Sequence, residues 1–240
     1  PTCKERFGDD LRGQLRTLMT RLAATPVSTE YRDPSTGELV TGEVNAGTVA
    51  GITRMYSYYP QGAALLPLVL NEAQQGRYGS LMSLSKLLES QVGDQFMHGM
   101  QLSVICAEDA PYLAARDQDQ DLILGNAIVG VTLNQCSVWP SGPVSEGFRE
   151  PLASEVPTLL MSGELDPVTP PRYADDVAAS LPRSRHLVGK GQGHILLSRG
   201  CTPRLAAEFV ETLDPAGLET DCLEVLGASP FFLDFNGAAP

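Results

Sequence analysis

The sequence predicts an α/β fold in which a parallel sheet and its helices follow a mainly helical region. Three features carry that expectation. Between Val156 and Leu213, short apolar runs alternate with helical spacing in the order strand, helix, strand, helix, which implies parallel strands joined by right-handed crossovers. From Val44 to His98 the text is helical, with Pro60 and Pro67 as breakers. Between these stretches, Trp139-Pro-Ser-Gly-Pro begins a run of breakers that continues through Gly147 and Pro151. That run divides the chain into a mainly helical region, 1–150, and a C-terminal core, 151–240.

Each element has its own signal. Leu11, Leu15, Leu18 and Leu22, interleaved with Arg12, Arg16 and Arg21, predict an amphipathic helix over 9–24, and Pro26 stops it. Val27–Glu30 and Leu39–Val44 flank Asp33-Pro-Ser-Thr-Gly37, the turn chemistry of a β-hairpin. Leu81, Leu84, Leu87 and Leu88 mark one apolar helix face. Leu102–Cys106 reads as a brief strand closed by Glu108, Asp109 and Pro111, and 120–133 as a helix. Val156–Ser162 has the unbroken apolar character of a strand covered on both faces. Thr169 and Pro170 then supply an N-cap and first helical residue, with Tyr173, Val177 and Leu181 as the core stripe. Arg185–Val188 forms the second strand, and Thr202-Pro203 opens a helix carrying Leu205, Phe209 and Leu213.

Composition narrows the function. Holding a phosphate backbone requires clustered cations, and 17 Lys and Arg against 29 Asp and Glu leave a net charge of −12, so no nucleic-acid partner is expected. Apolar runs such as Ala63–Leu70 fall far short of the ~20 residues that span a bilayer, so no membrane role is expected either. Pro1–Gly8 has no positive or apolar region of a signal peptide. The five cysteines form no C-x-x-C pair and have only three histidines for company, so no metal site or cofactor is expected. They read either as small buried thiols or as disulfides with one left over.

In open parallel sheets the loops at the carboxyl ends of the strands hold the active site. Here those loops are Gly163–Pro170, which contains Asp166, and Gly189–Ile195, which contains His194. A carboxylate on one strand end beside a His on the next can fix the imidazole tautomer and stabilise its protonated form, as a nucleophile's general base requires. Singly, Asp166 before Pro167 reads as a turn residue and a lone His as structural. Together, acid then His, each just after a strand, is the late part of the Ser…Asp…His order of α/β-hydrolases. The glycines at 189–193 lack the Gly-Lys-Ser/Thr ending of a phosphate cradle. His98, at an expected helix C-terminal end, and His186, inside a strand, are given no catalytic role.

Residues 156–171 and 184–194 resemble the final two strand-loop segments of α/β-hydrolases of the proline iminopeptidase and tripeptidyl aminopeptidase kind, serine peptidase family S33. Residues 157–240 look like the TAP-like C-terminal domain, and Gly163-Glu-Leu-Asp-Pro-Val-Thr-Pro170 is the most specific part. Residues 3–110 look like the family's helical cap, through Arg21-Leu-Ala-Ala-Thr-Pro-Val27 and Ser103-Val-Ile-Cys-Ala-Glu-Asp109. The resemblance implies the C-terminal part of an α/β-hydrolase fold behind a helical cap. It also implies Cys106–Cys136 and Cys201–Cys222 disulfides, with Cys3 left for a partner, and hence a secreted or periplasmic protein.

One departure matters most. The nucleophile elbow Gly-x-Ser-x-Gly is absent: Ser145 has Gly147 but Pro143, and Ser229 has Gly227 but Phe231. The family places this elbow and its oxyanion segment upstream of the cap, so the chain is expected to be the cap and C-terminal part of a longer enzyme. Alone it should be inactive, and the N-terminal half is its expected partner. An exopeptidase cutting near a free N-terminus must recognise a cationic amine; Glu108, Asp109 and Glu164 are candidates, and Tyr56, Tyr58, Tyr59 and Trp139 could line a pocket. An esterase or lipase on the same fold and a non-catalytic binding module are the alternatives.

Overall fold

The computed structural model describes residues 2–92 and 97–238. After a short helix, α1 (Cys3–Phe7), Asp10 caps α2 (Leu11–Ala24) by accepting from the Gly13 N–H. Leu15, Leu18 and Leu22 turn inward, as their spacing requires. The hairpin follows as β1 (Val27–Arg32) and β2 (Leu39–Val44), antiparallel from Val27↔Val44 to Arg32↔Leu39. The first strand thus runs to Arg32 rather than Glu30, and the Asp33 carboxylate holds the turn by accepting from the N–H groups of Ser35 and Thr36.

Three helices complete this region: α3 (Ala46–Tyr56), α4 (Pro60–Gln74) and α5 (Gly79–Val92). Pro60 is the first residue of α4, where its missing N–H costs nothing. Pro67, expected to break the helix, lies inside it, buried with Leu68 and Val69. An internal proline costs about 3 kcal/mol, and burial of the surrounding apolar face offsets it. Leu18, Leu22, Val44, Val49, Ile52, Val69 and Leu81 meet in one closed core.

The next segment corrects three expectations. Leu102–Cys106 belongs not to a strand but to α6 (His98–Glu108), because so short an apolar run carries no period of its own. His98 therefore starts a helix, so the dipole argument that placed it at a C-terminal end fails. The helix expected over 120–133 begins only at Ala127, as α7 (Ala127–Cys136). Gly125, at φ +48°, adopts a left-handed conformation that interrupts it. Cys106 bonds Cys136, tying the end of α6 to the end of α7.

The C-terminal region contains β3 (Thr158–Gly163), α8 (Pro171–Ala178), β4 (Ser184–Gly189) and α9 (Thr202–Thr212). The two strands pair in parallel from Thr158↔Ser184 to Gly163↔Gly189. Helix α8 starts one residue late, with Pro170 as its N-cap, and Thr169 is used elsewhere. The expected stripe on α8 does not bury: Tyr173 and Val177 are each 48% exposed, and only Leu181 is covered. At 3.6 residues per turn Asp175 lies across the helix from both, and Asp175 is what meets the sheet, through His186.

On the opposite face Leu187, Leu205 and Leu218 form a small cluster with Leu159, Met161 and Phe209. Leu213 lies past the end of α9 in a left-handed conformation, exposed rather than on the helix's inner face. Cys201 bonds Cys222, and Arg185 donates to the carbonyls of Pro215, Ala216 and Leu218 and to the Thr220 hydroxyl. A last hairpin, β5 (Phe232–Asp234) and β6 (Gly237–Ala238), brings the C-terminal end back against α4. Cys3 is the free cysteine among the described residues.

Candidate active site

Parallel pairing in register delivers Gly163 and Gly189 to the same edge of the sheet, and the loops that follow lock together. The Glu164 N–H donates to the Gly189 carbonyl and the Leu165 N–H to that of Gln192. The Glu164 carboxylate accepts from the Gly191 N–H at 2.8 Å. A Cβ on Gly163 would lie 1.9 Å from the Gly193 carbonyl oxygen, so only glycine permits this approach.

Asp166 sits in the turn between β3 and α8 with its side chain 3% exposed. Its Oδ1 accepts from the N–H groups of Val168 (2.8 Å) and Thr169 (2.9 Å). Its Oδ2 accepts from the Thr169 hydroxyl (3.0 Å) and from His194 Nδ1 (2.8 Å). Burial works to raise the carboxyl's pKa, but the hydrogen bonds from His194, the Thr169 and Val168 amides and the Thr169 hydroxyl outweigh it and hold the pKa below the ordinary carboxylate value. An ionised carboxylate only accepts, so Nδ1 carries the proton of this bond. Nε2 of His194 has no hydrogen-bond partner among the described residues, and the side chain is 27% exposed.

His194 is held from the helical region as well. Its backbone N–H donates to the Tyr58 carbonyl at 2.6 Å, and the Tyr58 ring stands edge-on to the imidazole, centroids 5.3 Å apart. Arg54 donates to the Tyr58 hydroxyl at 3.3 Å, with its guanidinium 5.8 Å from the ring centre. Ile195, directly after His194, has φ +64°, a conformation that costs a β-branched residue on the order of 1–3 kcal/mol. No composition signal announces that strain.

The other candidates are scattered. Tyr56 is in the helical core, Tyr59 packs against it, and Trp139 donates to Ser103 on α6. Glu108 ends α6 and Asp109 follows as its C-cap; among the described residues no hydrogen bond or ion pair joins either to the Asp166–His194 pair. Glu164 is beside the pair, with one oxygen engaged by Gly191. Among the described residues no cluster of three or more His, Cys, Asp or Glu side chains could hold a metal.

A second Ser–His–Asp contact was invisible in the sequence, because its members come from three elements. His186 Nδ1 lies 2.8 Å from Asp175 Oδ1, and Nε2 lies 2.9 Å from Ser162 Oγ. The atom order is that of a triad, but Ser162 is 6% exposed and lies within a regular strand as its penultimate residue, with no strained turn to present it. It joins β3, β4 and α8. A cleft of about 790 Å³ lies elsewhere, between α2 and residues 120–125.

Adjacent parallel strands that end on a buried carboxylate and a His bonded to it are consistent with the C-terminal part of an α/β-hydrolase. Residues 122–222 match the model of the TAP-like protein family, a similarity to the C-terminal domain of α/β-hydrolases over that span. No curated protein matches the chain. The two disulfides fit an extracellular protein, and among the described residues no helix is long and apolar enough to cross a membrane.

Proposed function

We propose that the chain supplies the acid, Asp166, and the base, His194, of a secreted serine exopeptidase that cuts peptide bonds near a free N-terminus, as in serine peptidase family S33. The observation that carries this reading is the 2.8 Å contact between Asp166 Oδ2 and His194 Nδ1 at the ends of adjacent parallel strands. Asp166 fixes the tautomer with Nε2 facing outward; Nε2 takes the proton of a serine hydroxyl as it attacks the scissile carbonyl. The imidazolium then returns the proton to the leaving amine, and Asp166 stabilises the cation between those steps. The sequence contains no Gly-x-Ser-x-Gly, so the hydroxyl comes from polypeptide outside these 240 residues, which is the partner of this chain. In this reading 1–150 is the cap and 151–240 the core, and Glu108, Asp109 or Glu164 meets the substrate amine.

The test is hydrolysis of aminoacyl and tripeptidyl amides by the catalytically complete protein, with a simple ester as control. Blocking the substrate's amine should abolish amide cleavage. Ester cleavage indifferent to the amine would favour an esterase, and hydrolysis by the 240-residue chain alone would refute the assignment of the nucleophile to outside polypeptide.

A further inference from the structure

Arg54 is a half-buried cation on α3 whose one described hydrogen bond goes to the Tyr58 hydroxyl. A guanidinium has five N–H donors, so most of its capacity remains. The chain has far more carboxylates than cations, yet among the described residues none forms an ion pair with Arg54. Nor is any buried side-chain nitrogen or oxygen among the described residues left unpartnered, so the unused donors of Arg54 reach solvent. They do so next to the base: Arg54 lies over the Tyr58 ring, and that ring stands against the imidazole of His194.

We infer that Arg54 is a specificity-determining residue that binds a carboxylate of the substrate, so that the site takes short peptides bearing a free carboxylate. The inference rests on the reading of His194 as the base. The two ring contacts, 5.8 and 5.3 Å, keep the guanidinium within about 11 Å of the imidazole, at most about three residues of extended chain at ~3.3 Å each. A segment no longer than a tripeptide spans that distance. A planar guanidinium beside an aromatic face is pre-organised for two-point binding of a carboxylate.

The experiment is an NMR titration of the 240-residue chain with Ala-Ala-Ala and, separately, with its C-terminal amide, which differ by one charge. The acid should bind about tenfold more tightly than the amide, as expected for a charge-assisted hydrogen bond, and should shift the Tyr58 and His194 ring signals. Arg54→Gln should bring the two affinities together, Arg54→Lys should keep part of the preference, and Tyr58→Phe should keep most of it. Equal affinities in the wild type, a preference that survives Arg54→Gln, or no shift with either peptide at millimolar concentration would overturn the inference. If Arg54→Gln fails to fold, loss of preference at high salt in the wild type replaces it, and persistence there overturns the inference. Hydrolysis by a His194→Ala variant of the catalytically complete protein separates the two ideas. If His194 proves dispensable while the preference still follows Arg54, the peptidase reading falls and the carboxylate site stands.

Discussion

The two ends of this chain are held by different physics. In the helical region, Leu18, Leu22, Val49, Val69 and Leu81 are closed to solvent on every side, and apolar burial orders the elements around them. In the C-terminal region the buried cluster is Leu187, Leu205 and Leu218, while Tyr173, Val177, Leu197 and Val210 stay exposed. Directional contacts fix that region instead: the hydrogen bonds on Asp166, the carbonyls gathered by Arg185, and the Cys201–Cys222 bond. The Asp166–His194 pair, the acid and base of the proposed mechanism, sits in the part where polar bonds set angles and distances. A site that must move protons benefits from that, since packing alone leaves orientation loose.

The strongest test of this contrast is Asp166→Asn in the catalytically complete protein. We expect kcat to fall on the order of 10⁴-fold, as when a triad acid loses its charge, with a lower thermal midpoint of unfolding as well, because an amide cannot accept all four hydrogen bonds that the carboxylate accepts. A loss under tenfold would remove Asp166 from the mechanism. Next, Leu18→Ala should cost about 3–5 kcal/mol in urea unfolding and Leu205→Ala about 2–3, because the smaller cluster relaxes more readily around a cavity. Equal costs would erase the contrast between the two cores. Replacing Cys201 and Cys222 together with serine should cost about 2–3 kcal/mol, with hydrogen exchange rising in β4 and α9 but not in α2 or α3.

The smallest effect sharpens the polar side. Thr169→Val removes one donor to Asp166 and should cost about 1 kcal/mol. The Asp166 pKa is depressed in the folded chain, so its contribution to stability is present above the ordinary carboxylate value of 3.8 and disappears as pH falls through the depressed one. In Thr169→Val that loss should be smaller and complete at a higher pH than in the wild type. Stability curves that superimpose from pH 5 down to acid unfolding would show that the hydroxyl contributes nothing.

Sequence reasoning brought Asp166 and His194 together because both residues follow strands whose apolar runs are legible, and register then does the rest. It reached α2 because four leucines at helical spacing admit one reading. It missed α6, where the four apolar residues of Leu102–Cys106 fit a strand or a helix equally well and only their neighbours decide. It placed Thr169 as a cap because Thr before Pro usually is one; the carboxylate three residues earlier competes for the same hydroxyl and wins. Tyr58 was one of several aromatics, and nothing local reveals that its carbonyl would receive the His194 N–H from more than a hundred residues away.

The joint between Ser162, His186 and Asp175 has a property of its own. Neutral, the imidazole gives its Nδ1 proton to Asp175 and receives one from the serine; charged, it gives to both, and the hydroxyl simply rotates to present a lone pair. The bonds survive either way. The tie among β3, β4 and α8 therefore does not depend on which form the imidazole takes.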